Sequence, residues 1–270
     1  MCGALVCLTM AASSAYAARQ TAQLGSVSAA LTFTGSYPKY KDMRLTIKRG
    51  SAVTYSATVH AQLCGMFCSP GSTGGRSSSV KVIHLEPGAE PNVVLNLFSA
   101  GAHCCTIEQV FSYDAATKTY RKAQYDFGDP GATLTDLNHN GRFEFLTADD
   151  AFAYEFTDYA GSGMPIEVIR FDHGRFQNVT RDYPGLIAKD AAFWLRIYHR
   201  MAPSYQDSVG VIAAWAADED ELGHSALVTR YLNQQLAAGH LNSALDPVQP
   251  SGSKFLVRLQ RFLRSHGYLR

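Results

Sequence analysis

The run Asp136-Leu-Asn138-His-Asn140-Gly141-Arg142-Phe-Glu144 places oxygen-bearing side chains at positions 1, 3, 5 and 9 of one short segment, with glycine at position 6. A hard cation such as calcium takes about six to eight oxygen ligands, and a loop of this spacing converges several of them. Asp136, Asn138, Asn140 and Glu144 would offer side-chain oxygens and Arg142 its backbone carbonyl, while Gly141 permits the sharp reversal between them. Position 12 is Thr147 rather than the bidentate glutamate of an EF-hand. Only two members of the set carry formal negative charge, which suits weak binding in a calcium-rich extracellular fluid. The same residues carry a metal-free alternative. Asn140-Gly141 between two alternating apolar runs is a strong signal for a tight β-hairpin.

The cysteines are the second group able to do chemistry, and their chemistry depends on compartment. Residues 1–17 are uncharged, apolar or small throughout, and end in Ala15-Tyr16-Ala17. That small-x-small ending reads as a signal peptide whose mature chain begins near Ala18, although the usual basic n-region is missing. Cys7 follows Val6, which is not small, so a lipoprotein cysteine is not indicated. No other apolar run approaches the length needed to span a bilayer. Cys64, Cys68, Cys104 and Cys105 then remain in a secreted or cell-envelope protein, and an even count there implies two disulfides with three connectivities open. Joining Cys64 and Cys68 to Cys104 and Cys105 would staple the Gly/Ser-rich stretch at 70–79 to the following strand region, whereas a vicinal Cys104–Cys105 bridge would be strained. A tetrahedral zinc site with His103 is the competing reading. Outside such a site, His103 is expected as a structural turn residue.

Enzyme signatures are sparse. There is no GxSxG elbow, HExxH, phosphate loop or dinucleotide fingerprint. Glu144, Asp149, Asp150 and His103 are the residues a secreted hydrolase would use, and a glycosidase would need two such carboxylates across a cleft. Asp149 and Asp150 are expected instead to cap the turn that follows them. The 270 residues carry a formal net charge of +1 with 17% charged and 46% hydrophobic residues. That is ample for a packed core, and near-neutral charge without a Lys/Arg run argues against nucleic acid or an anionic membrane as the main partner.

The elements that would position these residues change character once along the chain. His84-Leu-Glu-Pro-Gly-Ala-Glu-Pro-Asn92-Val-Val-Leu aligns without gaps on Asp136-Leu-Asn-His-Asn-Gly-Arg-Phe-Glu144-Phe-Leu-Thr, the first copy lacking a convergent oxygen set. Such self-similarity points to stacked β-units, two copies being fewer than a propeller needs. Arg44–Lys48 with Ala52–Val59, Val110–Tyr113 with Tyr120–Tyr125, and Ile166–Phe171 with Arg175–Thr180 alternate around turn residues and read as hairpins. After Pro184-Gly185 the period becomes helical. Four apolar stripes follow: Phe193, Trp194, Ile197, Tyr198 and Met201; then Val211, Ile212 and Trp215 after the capping pair Asp207-Ser208; then Leu227, Val228, Tyr231, Leu232 and Leu236 closed by Gly239; then Phe255, Leu256, Leu259, Phe262 and Leu263 ahead of Gly267. The expected fold is α+β: an antiparallel β-domain of repeated hairpin units over 28–183, propeller-blade-like or sandwich, then a small helical region over 184–270.

Ser99-Ala-Gly-Ala-His-Cys-Cys105, Tyr125-Asp-Phe-Gly128, the Asp136 loop and Thr147-Ala-Asp-Asp-Ala-Phe-Ala-Tyr154 together resemble exported bacterial proteins of the FG-GAP or VCBS-repeat-like kind, whose DxDxDGxxD loops bind calcium. The resemblance covers roughly residues 60–200 and implies a calcium loop, with no established activity. The expectation is an exported, non-enzymatic β-domain with a weak calcium loop, engaging a protein or glycan ligand. A secreted hydrolase and a ligand-free structural envelope protein are the alternatives.

Overall fold

The structure, a computed structural model, describes residues 17–64, 68–71, 78–86 and 90–269. The expected signal segment, apart from Ala17, and most of the Gly/Ser stretch at 70–79 lie outside the described residues. The fold is α+β, with antiparallel sheets followed by a C-terminal helical region. Among the described residues no helix is long and apolar enough to cross a membrane.

Three up-and-down antiparallel meanders follow one another. The first contains β1 (Ala17–Leu24), β2 (Val27–Ser36), β3 (Lys39–Arg49) and β4 (Ala52–Thr58), paired in chain order. The second contains β6 (Val80–Ile83), β7 (Asn92–Phe98), β8 (Thr106–Asp114) and β9 (Thr119–Asp126), with the two-residue β5 (Ser69–Pro70) sharing the edge of β7. The third contains β10 (Thr133–Thr135), β11 (Glu144–Ala148), β12 (Ile166–Asp172) and β13 (Arg175–Asn178). The expected hairpins all occur. The strand Ala17–Leu24, by contrast, lies upstream of the expected domain start at 28.

The middle sheet is buried on both faces, which its period-2 alternation explains. Val93, Leu95 and Leu97 of β7 pack with Leu31, Leu45 and Ile47 of the first sheet. Val94 of β7 and Val110 of β8 point the other way and pack with Phe145, Ile169 and Phe171 of the third. The result is three stacked layers with two apolar interfaces. Because each meander runs up and down, its connections gather at two rims. One rim holds loop residues 84–86, 90–91, 115–118 and 136–143; the other holds those at 99–105, 127–132 and 149–165.

The internal repeat is visible as geometry. Ile83 pairs with Asn92 and Thr135 pairs with Glu144, so each copy closes the same eight-residue connection between neighbouring strands. The two copies touch, since Phe143 N–H donates to the His84 carbonyl at 3.3 Å. The second connection is therefore not a two-residue Asn-Gly hairpin. His139 (φ 56) and Gly141 (φ 83) take left-handed conformations within a longer loop.

Four helices follow: α1 (Pro184–Arg200), α2 (Val209–Glu221), α3 (Ser225–Ala237) and α4 (Gly252–Ser265). Eleven of the thirteen residues of α2 are buried, so it is the central rod on which the others pack rather than a one-faced amphipathic helix. A Cβ on its Gly210 would stand 2.3 Å from the Gly161 carbonyl oxygen, so glycine there lets the 158–163 turn lie directly on the helix. Two helical expectations need correction. On α1, Tyr198 of the expected stripe is buried together with Ile187 and Ala191, and Trp194, Ile197 and Met201 pack half-buried against the same core, but Phe193 is exposed, its ring edge-on to Trp194. Asp207-Ser208 does not cap α2: Ser208 Oγ donates to the His240 carbonyl at 2.6 Å, and Asp207 accepts from Thr157 Oγ1 and from the Ala244 N–H.

Candidate functional site

At the Asp136 rim the loop is organised by its own side chains. Asp136 Oδ1 and Oδ2 accept from the N–H groups of Asn140 (3.0 Å) and Gly141 (2.9 Å), and Asn140 Oδ1 accepts from Arg142 N–H (2.9 Å). Asn138 is exposed. Glu144 does not join them. It is 1% exposed at the start of β11, with Oε1 3.4 Å from Arg170 Nε. The same guanidinium reaches Asp182 at 3.3 Å and donates to the Tyr183 hydroxyl at 3.2 Å. The structure thus brings Asp136, Asn140 and Arg142 together and holds Glu144 in the sheet as the partner of an arginine. No group of three or more His, Cys, Asp or Glu side chains able to hold a metal ion occurs among the described residues.

The cysteines pair locally, Cys64 with Cys68 and Cys104 with Cys105. Of the three connectivities the sequence leaves open, the local one is made and the cross-staple between the two pairs is not. With all four sulfurs in disulfides, the tetrahedral zinc set with His103 is not assembled either, since zinc takes thiolates.

The opposite rim gathers chemistry from three loops. His103 comes from the β7–β8 connection, Asp129 from the β9–β10 connection, and Asp150, Tyr154 and Tyr159 from the segment between β11 and β12. His103 Nδ1 lies 3.5 Å from Asp129 Oδ2, the tyrosine hydroxyl of Tyr159 donates to the same oxygen, and the His103 ring lies over the Tyr159 ring with centroids 4.0 Å apart. Tyr154 completes an aromatic group, 6.1 Å from His103 and 5.5 Å from Tyr159. The group is open to solvent: the His103 side chain is 43% exposed and Tyr154 50%.

The backbone beneath is specialised. Tyr154 takes a left-handed conformation (φ 61), which is uncommon for an aromatic residue and persists where surrounding contacts enforce it. Those contacts are Ser162 Oγ, which accepts from Tyr154 N–H at 3.1 Å, and Gln249 Nε2, which donates to its carbonyl at 2.7 Å. Gly128 (φ 58) is equally constrained, since a Cβ there would meet the Asp150 carboxyl at 2.3 Å. Glycine at 128 therefore lets Asp150 sit under the rim, where its carboxyl accepts from Asp129 N–H at 3.4 Å. Burial, reinforced by Asp129, Asp126 and Asp149, pushes Asp150 above the ordinary carboxylate range. Asp149 caps the short 3-10 turn after it by accepting from Ala151 N–H, as expected, and also accepts from the Tyr268 hydroxyl at 2.8 Å.

This arrangement can hold a ligand by its flat faces and hydroxyls. Two tyrosine rings and an imidazole present π-surfaces at low conformational-entropy cost, and Asp129 fixes His103 through Nδ1. The neighbouring cysteines are bridged, and among the described residues no serine is hydrogen-bonded to His103. The sequence flagged His103 and Asp150 separately but not Asp129, Tyr154 or Tyr159 as partners.

No protein-family model matches the chain, and no solved structure matches it. It is similar to an uncharacterized protein of Sinorhizobium fredii, 26% identical over 156 residues, covering 55% of this chain and 24% of that protein. It is also similar to a probable thylakoid lumen protein of Synechocystis, 26% identical over 119 residues, covering 37% of this chain and 35% of that protein. The chain therefore spans about a quarter to a third of the curated relatives it matches.

Proposed function

We propose that this chain is an exported, non-enzymatic β-protein that binds a carbohydrate ligand on the His103–Tyr154–Tyr159 rim. The observation that carries the reading is the solvent-open aromatic group, locked by Asp129 and by the left-handed backbone of Tyr154. Sugar rings stack their C–H faces on aromatic faces, and His103 and Asp129 are placed to meet the hydroxyls at the edge. Export is supported by the uncharged, small-x-small leader, by the paired cysteines, and by a relative named as a probable lumen protein. The Asp136 loop on the opposite rim serves in this reading as a weak calcium site stabilising the stack. Asp136 arranges the loop backbone, and Arg142 contributes its carbonyl.

The test is a glycan array probed with the full chain and with Tyr154→Ala and Tyr159→Ala. Binding of a defined glycan class that either variant lowers by about tenfold or more supports the reading, since such contacts contribute on the order of 1 kcal/mol or more. Absence of binding above background, or equal binding by both variants, refutes it. A hydrolase reading draws on one observation, the raised Asp150 carboxyl beside Asp129, which resembles an acid and carboxylate pair. Turnover of a bound glycan that Asp150→Asn abolishes would establish that alternative. For the calcium loop, melting temperature should rise with millimolar calcium in the wild type and not in Asp136→Ala. Identical melts with calcium and with chelator would remove calcium from the proposal.

A further inference from the structure

The rim loop that carries His103 is fastened by sulfur. Cys104 and Cys105 follow His103 directly and are bridged to each other. Cys105 is anchored in its own right. Its N–H donates to Ser99 Oγ at 2.9 Å, its carbonyl accepts from Ser99 N–H at 3.1 Å, and its side chain packs against the core between the first two sheets. Residues 100–104, by contrast, make no backbone hydrogen bond among the described residues. Ala100 takes a left-handed conformation (φ 64), which persists where surrounding contacts hold it. The bridge therefore ties Cys104, and His103 one residue before it, to a fixed point at the start of β8.

A bridge of this kind acts locally. Disulfides stabilise a fold in proportion to the chain they close, and one between sequence neighbours closes almost none. Its loss should free the loop while leaving the fold in place. It is also within reach of a reductant. Both of its cysteines are half-buried, whereas Cys64 of the other pair is 4% exposed, and accessible bridges are the labile ones. We propose that Cys104–Cys105 is a redox latch on the aromatic rim, closed in an oxidising compartment and opened by a dithiol. One thiolate of the dithiol attacks Cys104 Sγ, since Cys105 is the member packed against the core, and Cys105 leaves as a thiolate that takes up a proton. The second thiol of the reductant attacks the mixed disulfide, ends in a disulfide of its own and releases Cys104 as a thiol. Two electrons pass to the protein, and its two cysteines gain a proton each. His103 then loses the position that lays it on Tyr159 and sets Nδ1 against Asp129. Any consequence for a sugar ligand rests on the carbohydrate reading, and the latch itself does not.

The experiment equilibrates the full chain with reduced and oxidised dithiothreitol at graded ratios. Differential alkylation with peptide mapping reads each cysteine pair, and the His103 side-chain NMR signals are followed in parallel without ligand. Cys104–Cys105 is expected to open at a lower proportion of reductant than Cys64–Cys68. The His103 signals should follow that step, losing the ring-current shift from Tyr159, while the melting temperature changes by less than about 3 °C. A chain carrying Cys104→Ser and Cys105→Ser should show the opened His103 signals with or without reductant. Unchanged His103 signals once Cys104–Cys105 has opened overturn the latch, as do signals that follow Cys64–Cys68 instead, or a Cys104–Cys105 pair that resists excess dithiothreitol. Unfolding of the reduced or doubly substituted chain also overturns it, because the bridge would then hold the whole fold. Glycan binding is measured separately on the closed and opened forms, so a working latch without any glycan bound would sink the carbohydrate reading alone.

Discussion

Asp218 allows a direct test of how the helical region is held to the third sheet. It is 1% exposed on α2, beside Asp190 of α1. Asp190 Oδ2 accepts from Ile166 N–H and from Trp194 Nε1, each at 2.9 Å, so it is the member of the pair already supplied with donors. Burial, then Asp190, and then Glu221 and Glu219 push the Asp218 carboxyl up to about 10. At neutral pH Asp218 therefore keeps its proton beside the Asp190 carboxylate. The unfolded chain releases that proton above its ordinary value near 3.8. Between these limits the native state binds about one more proton than the unfolded state, so stability falls as pH rises, by about 1.4 kcal/mol per unit. Its contribution is fully present below the unfolded value and is lost as pH climbs toward the folded one. Asp218→Asn retains a donor and has nothing to ionise. Its stability relative to wild type should rise by up to about 4 kcal/mol from pH 5 to pH 8, an upper bound for one fully coupled proton. Urea unfolding at several pH values gives the number, with Trp194 and Trp215, the chain's two tryptophans, as local reporters. Infrared difference spectra should show a protonated carboxyl at neutral pH in the wild type that the variant lacks. A stability difference that stays flat across this range would show that Asp218 is ionised in the native protein, and the reasoning would fail.

Three further outcomes are expected. Arg170→Ala strands the buried Glu144 carboxylate and should lower denaturant stability by about 3–5 kcal/mol, while Arg170→Ala combined with Glu144→Gln should recover much of the loss. Gly128→Ala forces a Cβ into the Asp150 carboxyl from a left-handed backbone, and should cost about 1–3 kcal/mol in thermal or chemical unfolding and weaken binding at the aromatic rim. Thiol titration of denatured, unreduced protein lacking the leader should find Cys64, Cys68, Cys104 and Cys105 all unreactive, and four reactive thiols with stoichiometric zinc would instead establish the metal site.

Elements governed by local periodicity were legible in the sequence. The hairpins around Gly50 and Gly174, the shift to helical spacing at Pro184 and the ungapped repeat of 84–95 on 136–147 all have counterparts in the fold, because alternation and turn chemistry act over a few residues. What depends on long-range packing was not. The strand Ala17–Leu24 has an outer-strand pattern of exposed and half-buried residues, with no apolar alternation to distinguish it from a leader's end. The stripe Val211, Ile212 and Trp215 suggested one apolar face, and only the surrounding alanines, small enough for close helix contact, show why α2 is enclosed. His103, Asp129 and Tyr159 are separated by 26 and 30 residues, so no local spacing could show that they meet. Glu144 sat at the right offset for a cation loop, but Arg170, 26 residues on, sets its surroundings.

The chain-order pairing of the three meanders also bears on how the protein reaches its folded state. Among the described residues, every strand pair apart from β5 with β7 joins strands adjacent in sequence. The entropy lost in closing each hairpin is small, and local topologies fold faster than those built on distant pairings. A chain emerging N-terminus first from a ribosome or a translocation pore can zip the first meander before the second has appeared. It can then lay each new sheet on a finished apolar face, so that unpaired strand edges are exposed only briefly. The helical region comes last in such a sequence, and its arrival brings Gln249 onto the Tyr154 carbonyl and so fixes the backbone beneath the open rim.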